Sequence, residues 1–234
     1  MMRPQTFLAS LTIATCSTFG IAATADADLL LGYTFEDDSF APSFEAEGVS
    51  GNSFNADGAG ENTQVNNFQS MDAVSVRYAS QVAGAPTTEA EAIATGVYGQ
   101  FTLTPEAALQ SIARFDFEYR RGGTSQDRSF ALYYSVGEPT GDFETDWVHV
   151  GTVDTPDGTA AEFTPTGYDL NLTEVTEPVT FRFYVWTPSI NTGGYDMRFT
   201  NFEINGVIPE PASAMLAGFG SLLLLGRRRR SADN

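Results

Sequence analysis

Three carboxylates stand at alternate positions in the segment GDFETDWVH, namely Asp142, Glu144 and Asp146. Oxygen ligands at this spacing can surround a calcium ion where the backbone turns, so the segment is the first candidate for chemistry. A twelve-residue calcium loop of the kind that joins two helices would need glycine at its sixth position and glutamate at its twelfth. Trp147 and Val153 stand there instead, so the segment does not encode such a loop.

Other acidic groups fall in sequence typical of loops, at Glu36-Asp37-Asp38 and at Asp154 and Asp157. The sequence allows one structural Ca²⁺ in such a loop, with solvated carboxylates as the alternative reading. It indicates no other cofactor, and it does not identify which residues would be the metal ligands.

The one histidine, His149, lies in the strand-like sequence DWVHVGT. A nucleophile elbow of the form G-x-S-x-G, which would give this histidine a serine to activate, does not occur in the chain. We therefore interpret His149 as an ordinary strand residue rather than a catalytic base. One histidine and one cysteine, Cys16, are also too few for a typical zinc site.

The same segment is similar in part to the E-x-D-x-x-E strand motif of jelly-roll glycosidases such as the laminarinases. The resemblance implies that its two glutamates would act as nucleophile and acid. Glu144 and Asp146 match the first two positions, but His149 stands where the second glutamate should be. The proton donor is missing, so we expect no catalytic residue here and a protein that is not an enzyme.

Several large aromatic residues could present a platform on which sugar rings stack, namely Trp147, Tyr184, Trp186 and Tyr195. Tyr184 and Trp186 fall on the strand face opposite to Phe181 and Phe183, which favours an exposed position or a contact with a second sheet. Most aromatics in a chain so rich in Phe fill the core. We take Tyr184, Trp186 and Trp147 as a candidate glycan platform.

The elements that must position these residues are strands. The segment IARFDFEYR alternates Phe115, Phe117 and Tyr119 with charged residues, and VTFRFYVW (Val179–Trp186) alternates in the same way. Period-two alternation predicts half-buried strands. The further predicted strands, separated by turn-forming clusters, are Leu29–Phe35, Ala73–Tyr78, Tyr98–Leu103, Phe130–Val136, Trp147–Thr152, Thr159–Phe163 and Met197–Ile204.

Helical patterning is weak. Short helices are predicted for TPEAALQ (Thr104–Gln110), where Pro105 suits a first helical position, and for TTEAEAIA (Thr87–Ala94). Many short strands with almost no helix predict an all-β fold, an antiparallel β-sandwich of the jelly-roll kind. No internal repeat supports a propeller.

The chain of 234 residues carries a formal charge of −18 and contains no lysine. Between Asp26 and Val207 it has seven arginines against twenty-eight acidic residues, which gives 7 − 28 = −21 for that region. A surface of this sign repels phosphate backbones, which argues against nucleic-acid binding. Cations, basic partners and neutral sugars remain possible ligands.

The N-terminal sequence has the features of a secretory signal peptide. Arg3 precedes an apolar run without acidic residues, Phe7–Ala23, and Ala23-Thr24-Ala25 offers a signal-peptidase site. Cys16 lies inside this run, where an inert residue is favoured over a lipidation site. The predicted domains are therefore a signal peptide at 1–25, an exported domain at 26–206 and a C-terminal tail at 207–234.

The tail contains Pro209-Glu210-Pro211, an uncharged run (Ala212–Gly226) and four arginines, Arg227, Arg228, Arg229 and Arg230. At 1.5 Å per residue the fifteen-residue run reaches about 22 Å as a helix, which is short of the ~30 Å hydrocarbon core unless Ile208 and snorkelling arginines extend it. It is therefore predicted as a short, marginal transmembrane helix. The arginines would stay on the cytoplasmic side and stop transfer.

This order of parts resembles the PEP-CTERM sorting signal of Gram-negative bacteria, which an exosortase is thought to process near the Pro-Glu-Pro motif. The resemblance implies an inner-membrane intermediate, signal peptidase and exosortase as export partners, and a final place at the cell surface or outside the cell. The stretches LLLGYTFEDD and MRFTNFEINGVIPEP also look like parts of exported PEP-CTERM proteins. An ordinary membrane anchor is the alternative for the tail.

The link of this sorting system with extracellular polysaccharide suggests a role for the exported domain. We expect a non-enzymatic β-sandwich that serves adhesion or associates with exopolysaccharide in a biofilm matrix. A glycan-active hydrolase and a purely structural coat protein are the two alternatives.

Overall fold

A computed structural model describes residues 27–60, 63–68, 72–78, 85–122, 127–155, 162–188 and 195–209. In these residues the chain forms two antiparallel β-sheets that pack against each other as a β-sandwich. The strands are β1 (Asp28–Tyr33), β2 (Phe44–Glu45), β3 (Val49–Gly51), β4 (Thr63–Phe68), β5 (Ala73–Tyr78), β6 (Tyr98–Pro105), β7 (Leu109–Arg121), β8 (Arg128–Val136), β9 (Val148–Thr155), β10 (Thr164–Val175), β11 (Val179–Trp186) and β12 (Tyr195–Val207).

The larger sheet has the strand order β10-β7-β12-β1-β2, and β5 also pairs with β12 and carries β4. Strand β12 has two partners along one edge, and its pairing with β7 along the other edge shifts in register between Thr200 and Glu203. Its first half pairs with β5 and its second half with β1, and Asn201 between them has a left-handed backbone with φ 51°. This β-bulge divides one long strand between two neighbours.

The smaller sheet has the order β3-β6-β11-β8-β9. At its centre β11 places Phe181 opposite Phe101 of β6 and Tyr134 of β8. Because side chains alternate along a strand, Arg182 and Tyr184 point to the outer face of this sheet. That outer face carries the candidate site.

Phenylalanine dominates the core between the sheets. Phe183 stacks on Phe202 of the larger sheet with 5.1 Å between ring centroids, and it meets Phe199 at 4.6 Å. Each fully buried ring of this size contributes about 1.5–3 kcal/mol relative to an exposed one. The interlocked rings therefore fix the two sheets against each other.

Two short helices cross the outer face of the smaller sheet, α1 (Glu89–Thr95) and α2 (Phe143–Asp146), and a single 3-10 turn forms at Glu36–Asp38. Helix α1 is capped at its N-terminus by Thr88, whose hydroxyl accepts a hydrogen bond from the Glu91 N–H, and at its C-terminus by Gly96, which has a φ of 67°. The Val97 N–H then bonds the Ala92 carbonyl, which closes a glycine-terminated helix end.

The predicted all-β antiparallel sandwich is confirmed. Ala73–Tyr78 and Val179–Trp186 are strands with the predicted bounds, and the alternating segment at Phe115 lies within β7. The helix predicted for TTEAEAIA is confirmed as α1, two residues later than its predicted start. Predicted strands starting at Leu29, Tyr98, Phe130, Trp147 and Met197 overlap β1, β6, β8, β9 and β12 respectively.

Two predictions are wrong. The segment Thr104–Gln110 is not a helix, because β6 continues to Pro105 and β7 begins at Leu109. In the predicted strand Thr159–Phe163, residues 162 and 163 are not in a strand and the rest lie outside the described residues. Strand β10 begins directly afterwards, at Thr164, and was not predicted, nor were the short strands β2 and β3 or the polar strand β4.

The predicted signal peptide and almost the whole predicted sorting tail lie outside the described residues, where Pro209 is the last residue. Glu210, Pro211, the run Ala212–Gly226 and the arginines Arg227–Arg230 are therefore predictions from the sequence alone. Within the part of the chain that the structure describes, none of the helices has the length and apolar content needed to cross a bilayer.

Candidate functional site

A second cluster of buried side chains lies on the outer face of the smaller sheet, separate from the main core. We call it the outer cluster, and it consists of Ala92, Tyr98, Ala131, Tyr133, Trp147, Tyr184 and Trp186. Ile93 of α1 and Phe143 of α2 pack against it. The two helices thus cover part of a sheet face that would otherwise meet solvent, and their edges bound a groove.

The three residues predicted as a glycan platform all belong to this cluster. Trp147 is 8% exposed, Tyr184 2% and Trp186 5%. Their rings therefore do not present an open face for stacking on a sugar, and that part of the prediction needs correction. The cause is the cover supplied by α1 and α2, which the strand pattern of the sequence does not reveal.

The polar centre of the site is Arg182 on β11. Its guanidinium carbon lies 4.1 Å from the ring centroid of Tyr98 and 4.0 Å from that of Trp147. Cation–π contacts of this kind stabilise by about 0.5–2 kcal/mol each. Two rings therefore stabilise the position of a charged group.

Hydrogen bonds fix the same guanidinium in its plane. Nε of Arg182 donates to Oε1 of Gln100 at 2.8 Å, and Nη1 donates to the Tyr184 hydroxyl at 3.3 Å. Gln100 and Arg182 are cross-strand neighbours in the β6–β11 pair, so the sheet register places them together. Neither partner is a carboxylate.

The groove next to Arg182 has a volume of about 620 Å³, within the range of about 300–1,000 Å³ that is usual for small-molecule sites. One wall is the end of α1 with residues 58–60, and the other is the segment from Pro139 to Phe143. Tyr98, Trp147 and Tyr184 form its base together with Arg182.

Gly60 allows the loop at 58–60 to pack directly against the end of α1, and the two together form the first wall of the groove. Its N–H donates to the Gly96 carbonyl at 2.7 Å, and a Cβ atom at this position would lie 2.0 Å from the Thr95 carbonyl oxygen. Only a residue without a side chain permits this approach of two backbones. The loop at 58–60 is thereby held against the end of α1.

The phenols of the groove are hydrogen-bonding groups at neutral pH. Burial raises the pKa of Tyr184 and of Tyr98 above the usual value, although the Arg182 charge acts in the opposite direction on both. The Tyr98 hydroxyl donates to the Asp57 carbonyl at 3.1 Å. Both phenols therefore stay protonated.

A second polar group lies further along the same face, where α1 begins above β8 and β9. The Glu89 carboxylate accepts hydrogen bonds from the Tyr133 hydroxyl and, at 3.1 Å, from the Thr152 hydroxyl. Burial, and then the bond to Glu89, raises the pKa of Tyr133. His149 Nε2 lies 2.9 Å from the Thr152 hydroxyl oxygen and 3.8 Å from Glu89. The sequence interpretation placed His149 on a strand, and it is on β9, with its ring exposed.

The acidic segment that suggested calcium builds a turn. Asp146 accepts hydrogen bonds from the Thr140 hydroxyl at 2.9 Å and the Gly141 N–H at 2.8 Å, and Asp142 caps α2 by accepting from the Glu144 N–H. Across the described ranges, no group of three or more His, Cys, Asp or Glu side chains is placed to hold a metal ion. Asp157 lies outside those ranges. A structural Ca²⁺ stays a prediction without an assigned site.

A second cavity of about 580 Å³ lies near the 3-10 turn, between Ser39–Ala41 and Ser53–Ala56. Its lining residues carry no charged side chain. The groove at Arg182 is therefore the better candidate for recognising a polar ligand.

The residues that matter most here, Arg182, Gln100 and Tyr98, were not singled out in the sequence. Alternation in VTFRFYVW places Arg182 on the same face as Tyr184. That pattern was sufficient to predict Arg182 as a neighbour of the candidate platform. Nothing in the sequence indicates that Trp147, from a different segment, would lie across it.

No protein-family model matches the sequence, and no curated protein matches it significantly. Among solved structures the chain is similar to family 29 carbohydrate-binding modules. One is a CBM29-2 mutant complexed with mannohexaose, with 11% identity, a TM-score of 0.38, and 77% of this chain and 93% of that chain covered. Another is a mutant family 29 module with 12% identity, a TM-score of 0.37, and coverage of 76% and 92%.

Proposed function

We propose that this chain is an exported, non-enzymatic protein of the cell surface or extracellular matrix whose jelly-roll-like β-sandwich binds polysaccharide in the groove at Arg182. The observation that carries the proposal is the groove itself. It holds a guanidinium fixed by Tyr98, Trp147 and Gln100 at the base of a cleft of ligand size. Donors that are already immobilised lose little entropy when they bind a ligand.

The surface that continues from the groove suits a long glycan rather than a compact ligand. On the same outer face, two residues along each strand from Gln100 and Arg182, stand Thr102 and Thr180, with 2.9 Å between their hydroxyl oxygens. Both are partly exposed and uncharged. Sugar hydroxyls can pair with such groups without removing a charge from water.

Binding is favoured over hydrolysis by the chemistry of the groove. A glycosidase uses two carboxyl groups beside the scissile bond. The residues that line the groove in the described part of the chain include no Asp, Glu or His. The two phenols are held protonated by burial, so they are poor general bases at neutral pH.

Export and sorting are supported by the sequence alone. The apolar N-terminal run with its small-residue cleavage site and the Pro209-Glu210-Pro211 tail with its arginine cluster are the supporting features. Signal peptidase and an exosortase would act in turn, with the inner membrane as a temporary location. The acidic surface argues against nucleic acid as a partner.

Affinity electrophoresis of the full-length chain in gels that contain single polysaccharides tests the binding function. We expect retardation by at least one polysaccharide, and loss of that retardation in Arg182→Met. Arg114→Met, on the outer face of the other sheet, is the matched control and should migrate as the native chain does. Unchanged mobility on every polysaccharide would favour a structural coat protein, and release of reducing ends would favour a hydrolase.

The sorting proposal has a separate test. The double variant Pro209→Ala plus Pro211→Ala should keep its tail and stay in the inner membrane, whereas the native chain should lose the tail and leave. Equal processing and equal location of both chains would exclude the Pro-Glu-Pro motif as the sorting signal.

A further inference from the structure

The groove contains a cation that the protein does not neutralise. The contacts of Arg182 within the described residues are Gln100, Tyr184, Tyr98 and Trp147, and none of them carries a negative charge at neutral pH. This is unusual in a region with twenty-eight acidic residues and seven arginines. Selection for stability alone would more readily place one of those carboxylates beside the guanidinium.

Within the described residues, Arg182 also has hydrogen-bond donors that no protein group uses. A guanidinium carries five N–H donors, and two of them are used, by Gln100 and Tyr184. Three therefore remain, on Nη1 and Nη2, beside a groove that Arg182 itself lines. A carboxylate that meets two parallel N–H groups forms a charge-assisted pair about twice as strong as neutral hydrogen bonds.

From these contacts the geometry points to an acidic glycan as the ligand, with the carboxylate of a uronic acid residue bound by Arg182. The inference rests on the proposed function and specifies its ligand class. The guanidinium carbon lies over the rings of Tyr98 and Trp147, and three N–H donors have no acceptor among the described residues. A carboxylate is planar and can accept from two of these donors at once. A uronate supplies this group on a ring whose hydroxyls can meet Thr102 and Thr180.

The net negative charge of the domain does not prevent this contact. At physiological ionic strength, charges more than about 8 Å apart are largely screened, so remote acidic residues act weakly on a bound carboxylate. The groove lining in the described residues contributes no carboxylate of its own. A glycan in which uronates alternate with neutral sugars meets less repulsion from the domain than a densely charged polyuronate.

The test compares acidic oligosaccharides with their carboxyl-reduced counterparts, which have the same linkages without the charge. Calorimetric titration of the full-length chain would use oligomers of glucuronate, galacturonate and mannuronate. We expect at least one acid form to bind about tenfold or more tightly than its reduced form. We also expect Arg182→Met to abolish the difference, Arg182→Lys to keep only part of it, and Arg114→Met to keep all of it.

The outcomes separate this inference from the function on which it rests. Equal binding of acid and reduced forms by the native chain would overturn the uronate inference and leave polysaccharide binding in place, and this comparison needs no variant to fold. An acid preference that persists in Arg182→Met would overturn the assignment to Arg182. No binding of any acidic or neutral glycan would remove both the inference and the proposed function.

Discussion

Two arginines on the outer faces of the two sheets stand in opposite environments. Arg114, on the larger sheet, is bonded to the carboxylates of Asp116 and Asp169, each at 2.8 Å, and these bonds raise its pKa. Arg182, on the smaller sheet, has its guanidinium carbon within 4.1 Å of the centroids of two aromatic rings and has no carboxylate partner among the described residues. The chain thus neutralises the Arg114 cation itself, whereas the described residues place no carboxylate against Arg182.

The outer faces of the two sheets also differ in what covers them. The outer face around Arg114 is open, with polar and charged side chains that alternate with the core residues of β7. The face around Arg182 carries the outer cluster, two short helices and the groove. A fixed cation beside a cleft is a feature of recognition, whereas a solvated ion-pair network adds little stability and no specificity.

The largest expected effect comes from removing one ring of the Arg182 site. Trp147→Ala should lower the free energy of unfolding by about 3–5 kcal/mol, because a buried ring is lost from the outer cluster. Arg114→Ala should cost at most about 1 kcal/mol, since its ion pairs are exposed. Urea unfolding of both variants measures this, and equal losses would mean that the outer cluster is not a packed unit.

A smaller effect is expected from a single methyl group in the groove wall. Gly60→Ala places a carbon 2.0 Å from the Thr95 carbonyl oxygen, so the wall must move, at a cost of about 1–3 kcal/mol. Gly32→Ala on β1 is the control, because its new carbon meets its nearest neighbour at 3.5 Å. Its stability should stay within about 1 kcal/mol of the native chain. Thermal unfolding of the pair checks the close approach.

The stability lost on replacing each of the two arginines should depend differently on salt. Arg182→Met should destabilise the chain by about 0.5–2 kcal/mol at any ionic strength, because aromatic contacts with a partly buried guanidinium are weakly screened. Arg114→Met should cost about 0.2–1 kcal/mol in dilute buffer and close to nothing at about 1 M salt. Urea unfolding of both variants at low and high salt provides the comparison. A salt-sensitive loss in Arg182→Met would point to an ion pair at that site.

The smallest effect concerns alkaline pH. Burial raises the pKa of Tyr184 above its unfolded value of about 10. Below pH 10 both states are protonated, and above it the unfolded chain loses the proton first, so stability falls as pH rises. Tyr184→Phe removes this phenol and should flatten the decline above pH 10. Denaturant titrations across that range measure the slope, and an unchanged slope would mean that Tyr184 titrates as an exposed phenol does.

The regularity of each element decided whether the sequence predicted it. Strand β11 was predicted with its bounds because VTFRFYVW alternates without a break. Strand β10 was missed because Pro165 weakens the strand signal at its start, and Asn171 and Glu174 both adopt a positive φ that shifts the alternation. Among the described strands it pairs with β7 alone, and such an edge position tolerates irregularity.

The site was predictable only in part. Alternation correctly placed Tyr184 on the face opposite to Phe183, since that depends on neighbouring residues alone. The burial of Tyr184 depends on α1 and α2, which come from other parts of the chain. The sequence left the acidic segment open between a calcium site and solvated carboxylates, and in the structure Asp142 and Asp146 accept hydrogen bonds within the turn that precedes Trp147. Long-range packing of this kind leaves no local pattern in a sequence.

The two tryptophans offer the most direct test of where the ligand binds. Trp147 lines the groove, and Trp186 belongs to the same cluster but does not line it. In nitrogen–proton NMR spectra of the full-length chain titrated with a bound polysaccharide fragment, the Trp147 indole signal should shift together with Arg182. The signals of Trp186 and Arg114 should stay in place. Shifts confined to residues of the larger sheet, with Trp147 and Arg182 unmoved, would contradict the assignment of the groove as the binding site.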